Sequence, residues 1–388
     1  MESGPVPKVQ ADKARNALRR KVSAAAVPHP PRTSADRMPA TGAKVRAPLR
    51  APRSRKANPP ARAAAAGDPG DSVLNTCLTR ATAPGWRTDR FDACQSGYFH
   101  VVYKRDIKGV GRVEVGHMVF FVLLYQNSKL DGAAWEITAE FQKVSEVGET
   151  DGSQLTGSFD CSGACQVVAE DLISEPVDGP VDVAYQATIS STIFDRNQAG
   201  YGFSIVHWDV NRSGAAPLDN GHTESSSVVR CDSMFSNRTW GCVHPDSGPQ
   251  RYILFGNMFP EIAEDITASQ LDGIPGGDLP LTRAQNAVAD NRATACPDSR
   301  GRPRPPGVTC DEYPFASTAE GAASDWSHGE TFSWCNIDDL PAAPVNFQPA
   351  WSVCLITEEE NVDQGNDLGE FYADWRVIDG DQFTVEVG

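Results

Sequence analysis

The pattern of apolar and polar positions divides the chain into three stretches. Residues 1–70 are rich in Pro, Ala and Arg and contain no aromatic residue. Such a segment cannot bury enough apolar surface to offset chain entropy, which predicts disorder. From 71 to 229 the pattern has the period of β-structure. Tyr98-Phe99-His100-Val101-Val102-Tyr103 is aromatic and β-branched, and the 111–126 stretch carries the unbroken apolar run Val119 to Tyr125. Trp135 to Phe141 alternates with period two, as does much of Val181 to Phe194, and Tyr201 to Val210 adds a further strand. Turn signals at Asp131-Gly132, Asp151-Gly152 and Asp178-Gly179 separate them. Strands at this spacing predict an antiparallel sandwich. From 230 onward the pattern is mixed. Tyr252 to Phe255, Trp351 to Thr357 and Phe383 to Val387 read as strands, and Glu261 to Leu271, Thr282 to Ala295 and Leu368 to Val377 as helices. The expected fold is therefore two-domain: an N-terminal all-β sandwich-like region at 71–229, then a small α+β domain at 230–388 with its core at 281–388.

Composition changes this picture in two respects. With 388 residues, 40% hydrophobic and 22% charged, the chain is long enough for two cores and reads as soluble. The run Val119 to Tyr125 is far too short to span a membrane. The formal net charge of −16 hides an asymmetry, because residues 1–66 carry fifteen Lys and Arg against three acids, leaving about −28 on the remainder. So acidic a body repels nucleic acid at long range. Activity on DNA would need bound cations and local arginines, and would depend steeply on metal and salt. No secretory signal is evident, since Ser23 to Val27 is too short an apolar core and is followed by Pro28. The basic tail reads as a solvated linker in preference to a contact for DNA or cell wall.

The ten cysteines fall into neighbouring couples: 77 and 94, 161 and 165, 231 and 242, 296 and 310, 335 and 354. None forms the paired CxxC of a zinc site. Of the connectivities open to the sequence, sequential disulfides are the simplest, with Cys231–Cys242, Cys296–Cys310 and Cys335–Cys354 in the C-terminal part, and they imply an oxidising compartment. Cys161 and Cys165, with three residues between them, read as a small structural loop, not a redox pair.

The candidate chemistry lies in the run Cys310-Asp311-Glu312-Tyr313-Pro314-Phe315-Ala316-Ser317-Thr318-Ala319-Glu320-Gly321. Two adjacent carboxylates follow a cysteine, and Pro314 stiffens what comes after them. Arg300, Arg302 and Arg304 lie just upstream in a proline-containing loop. Acids that hold a divalent cation beside arginines that hold a phosphate suit metal-assisted attack on a phosphate ester. In an extended segment Asp311 and Glu312 point to opposite faces, which leaves one to serve as ligand while the other orients water or packs. The blander reading is local: the acids cap a helix, and Ser317 with Glu320 makes a capping box. His328 reads as a loop histidine in preference to a general base. The acids Glu358, Glu359, Glu360, Asp363 and Asp367 read as a solvated face. The glycines of Gly273 to Gly277 lack the lysine of a phosphate-cradling loop.

The Cys310 to Gly321 run resembles the signature of the NucA/NucB family of secreted bacterial deoxyribonucleases, in particular its actinobacterial branch. The resemblance continues through Asn361 to Tyr372 and Arg376 to Phe383, over the last hundred residues or more. It implies hydrolysis of DNA phosphodiester bonds with a divalent metal, Mg²⁺ or Mn²⁺. It implies Asp311 and Glu312 as catalytic and metal-holding acids, Glu370 as a third acid, and Arg300, Arg302, Arg304 and Asn361 as contacts to the phosphates. The chain departs from the family pattern at Glu320-Gly321-Ala322, where Gly-Gly commonly follows the acid. It departs again in the long 321–351 segment with its own Cys335, and at Glu360, where aspartate is usual. These departures leave open which acids reach the metal and whether activity is weakened. The reading is an extracellular, monomeric, metal-dependent endonuclease, with an inhibitor protein as a further candidate partner. The alternatives are a cell-surface adhesion protein with an inactive nuclease-like domain, and a toxin with a C-terminal nuclease.

Overall fold

The computed structural model describes residues 69–79, 85–193, 195–212, 221–325, 327–340 and 348–388. The disorder expected for 1–70 falls, but for its last two residues, outside them. The N-terminal region comprises α1 (Pro69–Thr79), β1 (Arg87–Thr88), β2 (Asp92–Ile107), β3 (Gly111–Ser128), β4 (Ala134–Gly148), β5 (Ser153–Gly163), β6 (Cys165–Glu170), β7 (Ile173–Pro176), β8 (Asp182–Ser191), β9 (Ala199–Arg212), β10 (Gly221–Ser225), β11 (Val229–Asp232) and β12 (Gly241–Val243). They form two curled antiparallel sheets, ordered β1-β2-β3-β4-β8-β6 and β12-β11-β9-β5-β7, with β10 added on β9. The sheets share one core, to which the first contributes Phe120, Val122 and Leu124 and the second Leu155, Phe159 and Trp208.

The unbroken apolar run of β3 has a direct physical reason. Alternation disappears when a strand is covered on both faces. Phe120, Val122 and Leu124 face the second sheet, whereas Phe121, Leu123 and Tyr125 pack beneath α1 against Val73, Leu74 and Leu78. That helix corrects the expectation of β-structure from residue 71. Its apolar residues Val73, Leu74, Cys77 and Leu78 recur at helical spacing, and a Cys77–Cys94 disulfide fixes it to β2.

The C-terminal region contains β13 (Gln250–Leu254), α2 (Pro260–Leu271), β14 (Leu281–Thr282), α3 (Val288–Ala295), β15 (Val308–Tyr313), β16 (Gly329–Glu330), β17 (Trp351–Thr357), α4 (Glu358–Asp374) and β18 (Gln382–Val387). Two small sheets, β13-β18-β14 and β15-β17-β16, flank a common core with the helices. The second large sheet runs to Val243 and the C-terminal sheets begin at Gln250, so the chain changes sheets after Val243 and not at 230. Helix α4 begins ten residues before the expected Leu368. The acidic run read as a solvated face forms its first turns, where Glu358, Glu359 and Glu360 complement the helix dipole. The starts of α2 and α4 support each other: Ile262 N–H donates to Glu360 at 2.9 Å, and Thr357 N–H donates to Glu261 at 2.6 Å.

The two regions meet across buried charges. Arg90 and Arg230 both donate to Asp381, at 2.8 and 2.7 Å, and both reach the Arg376 carbonyl. Arg376 donates back to the Asp232 carboxylate at 2.9 Å. All five disulfides pair sequential cysteines, and none of the ten cysteines is free.

Candidate active site

Strand β15 carries the acid pair, and its pairing with β17 sets the geometry. Asp311 lies opposite Cys354, Glu312 opposite Val353, and Tyr313 opposite Ser352. Successive side chains alternate across the sheet, so Asp311 shares a face with Tyr313 and Ser352, and Glu312 shares the other with Cys310.

On the face of Asp311 lies α2. Tyr313 accepts a hydrogen bond from Gln270 at 2.9 Å, and Ser352 donates to Asp265 at 3.0 Å. Asp265 is only 1% exposed. Its Oδ1 also accepts a longer hydrogen bond from Ser269 at 3.4 Å, whereas Oδ2 has no partner. Glu330 on β16 likewise holds an unpartnered buried Oε1. Desolvation is the main cause that pushes both carboxyls up to about 7, opposed at Asp265 by the serine hydroxyls and reinforced at Glu330 by Asp272 and Asp265. Asp311 is raised well above the carboxylate range by burial first, then by Glu312 and Asp265.

On the face of Glu312 lies α3. The Cys296–Cys310 disulfide ties the end of this helix to the strand. Arg292, one turn before Cys296, comes within 4.0 Å of Glu312 and keeps 69% of its side chain exposed. Glu312 is 7% exposed, and burial pushes it up against the opposing pull of Arg292. Beside Arg292, the buried Asn291 amide donates to the carbonyls of Ala316 and Thr318, at 2.8 and 2.9 Å. Its oxygen accepts from Ala323 N–H. Any side chain at Gly321 would collide with this amide, its Cβ falling 2.2 Å from Asn291 Nδ2. Thus α3 fixes the whole 316–323 loop. Glu320 accepts from Thr282 N–H at 2.8 Å.

The other expected residues lie apart from the pair. Arg300 caps the end of α3, donating to Ala295 O at 3.0 Å and Thr294 O at 3.4 Å. Arg304 donates to Arg300 O and Pro297 O, and Arg302 to Asp298 O. The structure therefore spends this loop's guanidiniums largely on the loop itself, and among the described residues the guanidinium at Glu312 is Arg292. Asn361 reaches β15, donating to Cys310 O at 3.3 Å. Glu370 is exposed on α4 and makes no contact with the acid pair among the described residues. His328 is bonded to Asp325 at 2.7 Å.

Two residues at the site went unmarked in the sequence reading. Arg292 was signalled by the Cys296 to Cys310 spacing, because a disulfide that docks a helix end brings the preceding turn with it. Asp265 was signalled by an acid at helical spacing on the face of Ile262, Ile266 and Ser269, where the other acids of the helix, Glu261 and Glu264, do not fall.

Asp265, Glu330, Asp311 and Glu312 are hard oxygen donors short of positive charge, the chemistry that a divalent cation such as Mg²⁺ or Mn²⁺ prefers, but among the described residues no three of them bring their oxygens within 4.8 Å of one another. Asp265 also lies within 4.8 Å of the Cys335 and Cys354 sulfurs, but these are joined in a disulfide and offer no thiolate.

Comparison with protein families adds one finding. Residues 280–386 match the family described as deoxyribonuclease NucA/NucB. No curated protein matches the chain. The matched segment contains α3, the 316–323 loop and the acid pair, while α2, β13 and the β-rich region lie outside it.

Proposed function

We propose that the protein is a secreted, metal-dependent endonuclease that hydrolyses the phosphodiester bonds of DNA. The observation that carries this reading is the gathering of Asp311, Glu312 and Asp265 around β15, with one guanidinium at 4.0 Å, in and beside the segment that matches the nuclease family. Secretion is supported by the five disulfides.

Asp311 and Glu312 are the candidate metal-holding acids. Their opposite directions allow a single ion only one of the two side chains, and Glu312 is preferred because Arg292 is on its face. A bound divalent ion supplies positive charge to the phosphate oxygens and a more acidic water. Arg292, largely exposed, is free to swing from Glu312 to a phosphate oxygen. Asn291 keeps the 316–323 loop in register with both. Asp311 and Asp265 lie behind the strand, on the face that α2 covers.

The test is degradation of supercoiled plasmid by the purified protein with EDTA, Mg²⁺ or Mn²⁺. Metal-dependent nicking followed by linearisation is expected. Absence of cleavage under every divalent ion would overturn the reading.

A further inference from the structure

A cavity of about 490 Å³ opens where the 297–307 loop and the segment after Cys335 meet β15 and β17. This is within the size range of small-ligand sites. Its lining includes the half-buried Val308 and Leu355 and the exposed Arg302, Pro303, Asn336 and Asp338. We propose that this cavity takes an unpaired nucleobase bearing an exocyclic amino group, from a nucleotide flanking the bond that is cut. The inference rests on the nuclease reading and adds a sequence preference to it.

Position is the first argument. Val308 and Glu312 lie on one strand and one face, four residues apart, so the cavity mouth sits about 13 Å along the sheet from the acid. A nucleic-acid strand held at Glu312 therefore passes within reach of it. Rigidity is the second. The Cys296–Cys310 bond closes one wall, and Cys335–Cys354 anchors the other. Asp339 joins the walls, accepting from Gly301 N–H at 3.1 Å and facing Arg300 at 3.8 Å. Arg300 and Arg304 spend their donors on carbonyls of the same loop. A site pre-ordered in this way loses little freedom on binding.

Chemistry is the third. Glu261, Asp338 and Asp339 make the lining net negative despite Arg302, which disfavours a phosphate. The same carboxylates accept hydrogen bonds from amino groups, as Asp and Glu do from the N4 amino group of cytosine. The apolar side chains of Val308 and Leu355 and the planar Arg302 guanidinium suit the faces of a ring. Adenine, cytosine and guanine carry such an amino group and thymine does not, so thymine is the base refused.

The experiment has two arms. Single-stranded oligonucleotides that differ only in the base beside a fixed cleavage position are cut with added Mg²⁺ or Mn²⁺. The wild type should cut the thymine series at least fivefold more slowly than the cytosine series, and Asp338→Ala, which removes the acceptor, should shrink that ratio to within twofold. In the second arm dCMP and dTMP are titrated without metal and followed by NMR of the 336–339 and 299–308 amides. These amides should shift with dCMP, less with dTMP, and less with dCMP in Asp338→Ala. Equal cutting of the two series by the wild type, or dCMP shifts that avoid these amides, overturns the proposal. If no oligonucleotide is cut the nuclease reading fails, and the titration still decides the cavity.

Discussion

Two clusters of buried charge in this molecule have opposite constructions. At the junction of the β-rich and C-terminal regions, Arg90, Arg230 and Arg376 surround Asp232 and Asp381. Desolvation alone would raise the Asp381 carboxyl, but the hydrogen bonds and charges of Arg230 and Arg90 outweigh it and hold Asp381 below the usual range. At β15 the balance is reversed. Asp265, Asp311, Glu312 and Glu330 are raised, and one guanidinium is held at 4.0 Å. In the first cluster each carboxylate faces two guanidiniums, and its product is a fixed junction. The second lacks positive charge, as expected where a cation and a substrate complete it. Burial is common to both, so burial alone does not mark a functional site; the missing counter-charge does.

The comparison breaks most readily at the junction. Asp381→Asn would leave Arg90 and Arg230 buried with one partner charge removed, which typically costs about 3–5 kcal/mol. Denaturant unfolding should therefore shift strongly to lower midpoint. A shift of less than about 1 kcal/mol would mean that the junction is not held by these ions. Neutralising the second cluster should behave differently. Asp265→Asn in metal-free buffer at pH 8 removes a desolvated charge, keeps an acceptor for the serine hydroxyls, and should leave stability unchanged or higher.

Glu312→Gln sharpens the contrast from the side of function. It keeps size and removes the charge that faces Arg292. A rate loss of several hundredfold is expected in metal-dependent DNA cleavage, about 3.5 kcal/mol at 1.4 kcal/mol per tenfold. Thermal unfolding should change little. Asp311→Asn should cost less, since that carboxyl lies on the other face of the strand. If Asp311→Asn is the more damaging, the assignment of faces is reversed.

How much of this was legible in the sequence depends on the range of the interaction. The β-periodicity of 71–229 and the fully buried run of β3 follow from local pattern, because strand alternation and its loss are written in neighbouring residues. The opposite directions of Asp311 and Glu312 were legible for the same reason. Helix α1 was missed because four apolar residues in a short segment are a weak periodic signal, and a long-range disulfide fixes them. The start of α4 was missed because its acids resemble a solvated run, and Gly365 and Gly369 lower its helix propensity. The loop arginines show the limit most clearly. Arg300 and Arg304 are near Asp311 in sequence, but backbone carbonyls of their own loop claim them, and only the folded loop reveals that. Arg292 and Asp265 reach the site through tertiary docking of α3 and α2.

The pH dependence of stability offers a third test, and the two clusters predict opposite signs. Asp381 is depressed in the fold, so its contribution is present above the unfolded pKa, near 4, and is lost as pH falls through its folded value. Asp265 and Glu330 are raised to about 7, so below about pH 4 they bind protons equally in both states. Between there and pH 7 the folded state binds more, and stability falls as pH rises. Without metal, stability should decline from about pH 5 to pH 8, and Mg²⁺ or Mn²⁺ should restore more of it at pH 8 than at pH 5. Equal stabilisation at both would separate the metal from these carboxyls.

The smallest effect is expected at Glu370. Asn361 marks where α4 meets β15, and Glu370 lies nine residues on, about 13 Å along the helix axis. The neighbours Phe371 and Tyr372 are buried, Tyr372 bonding Ser317 at 3.0 Å, which turns Glu370 outward to solvent. An exposed carboxylate at that distance interacts weakly with the acids at β15, and salt screens what remains. Glu370→Gln should therefore leave the cleavage rate within about twofold at 0.15 M salt, with a slight gain at low salt as repulsion of the DNA backbone falls. A tenfold loss would place the outer face of α4 against the substrate, and would make Glu370 the third acid that the family resemblance implies.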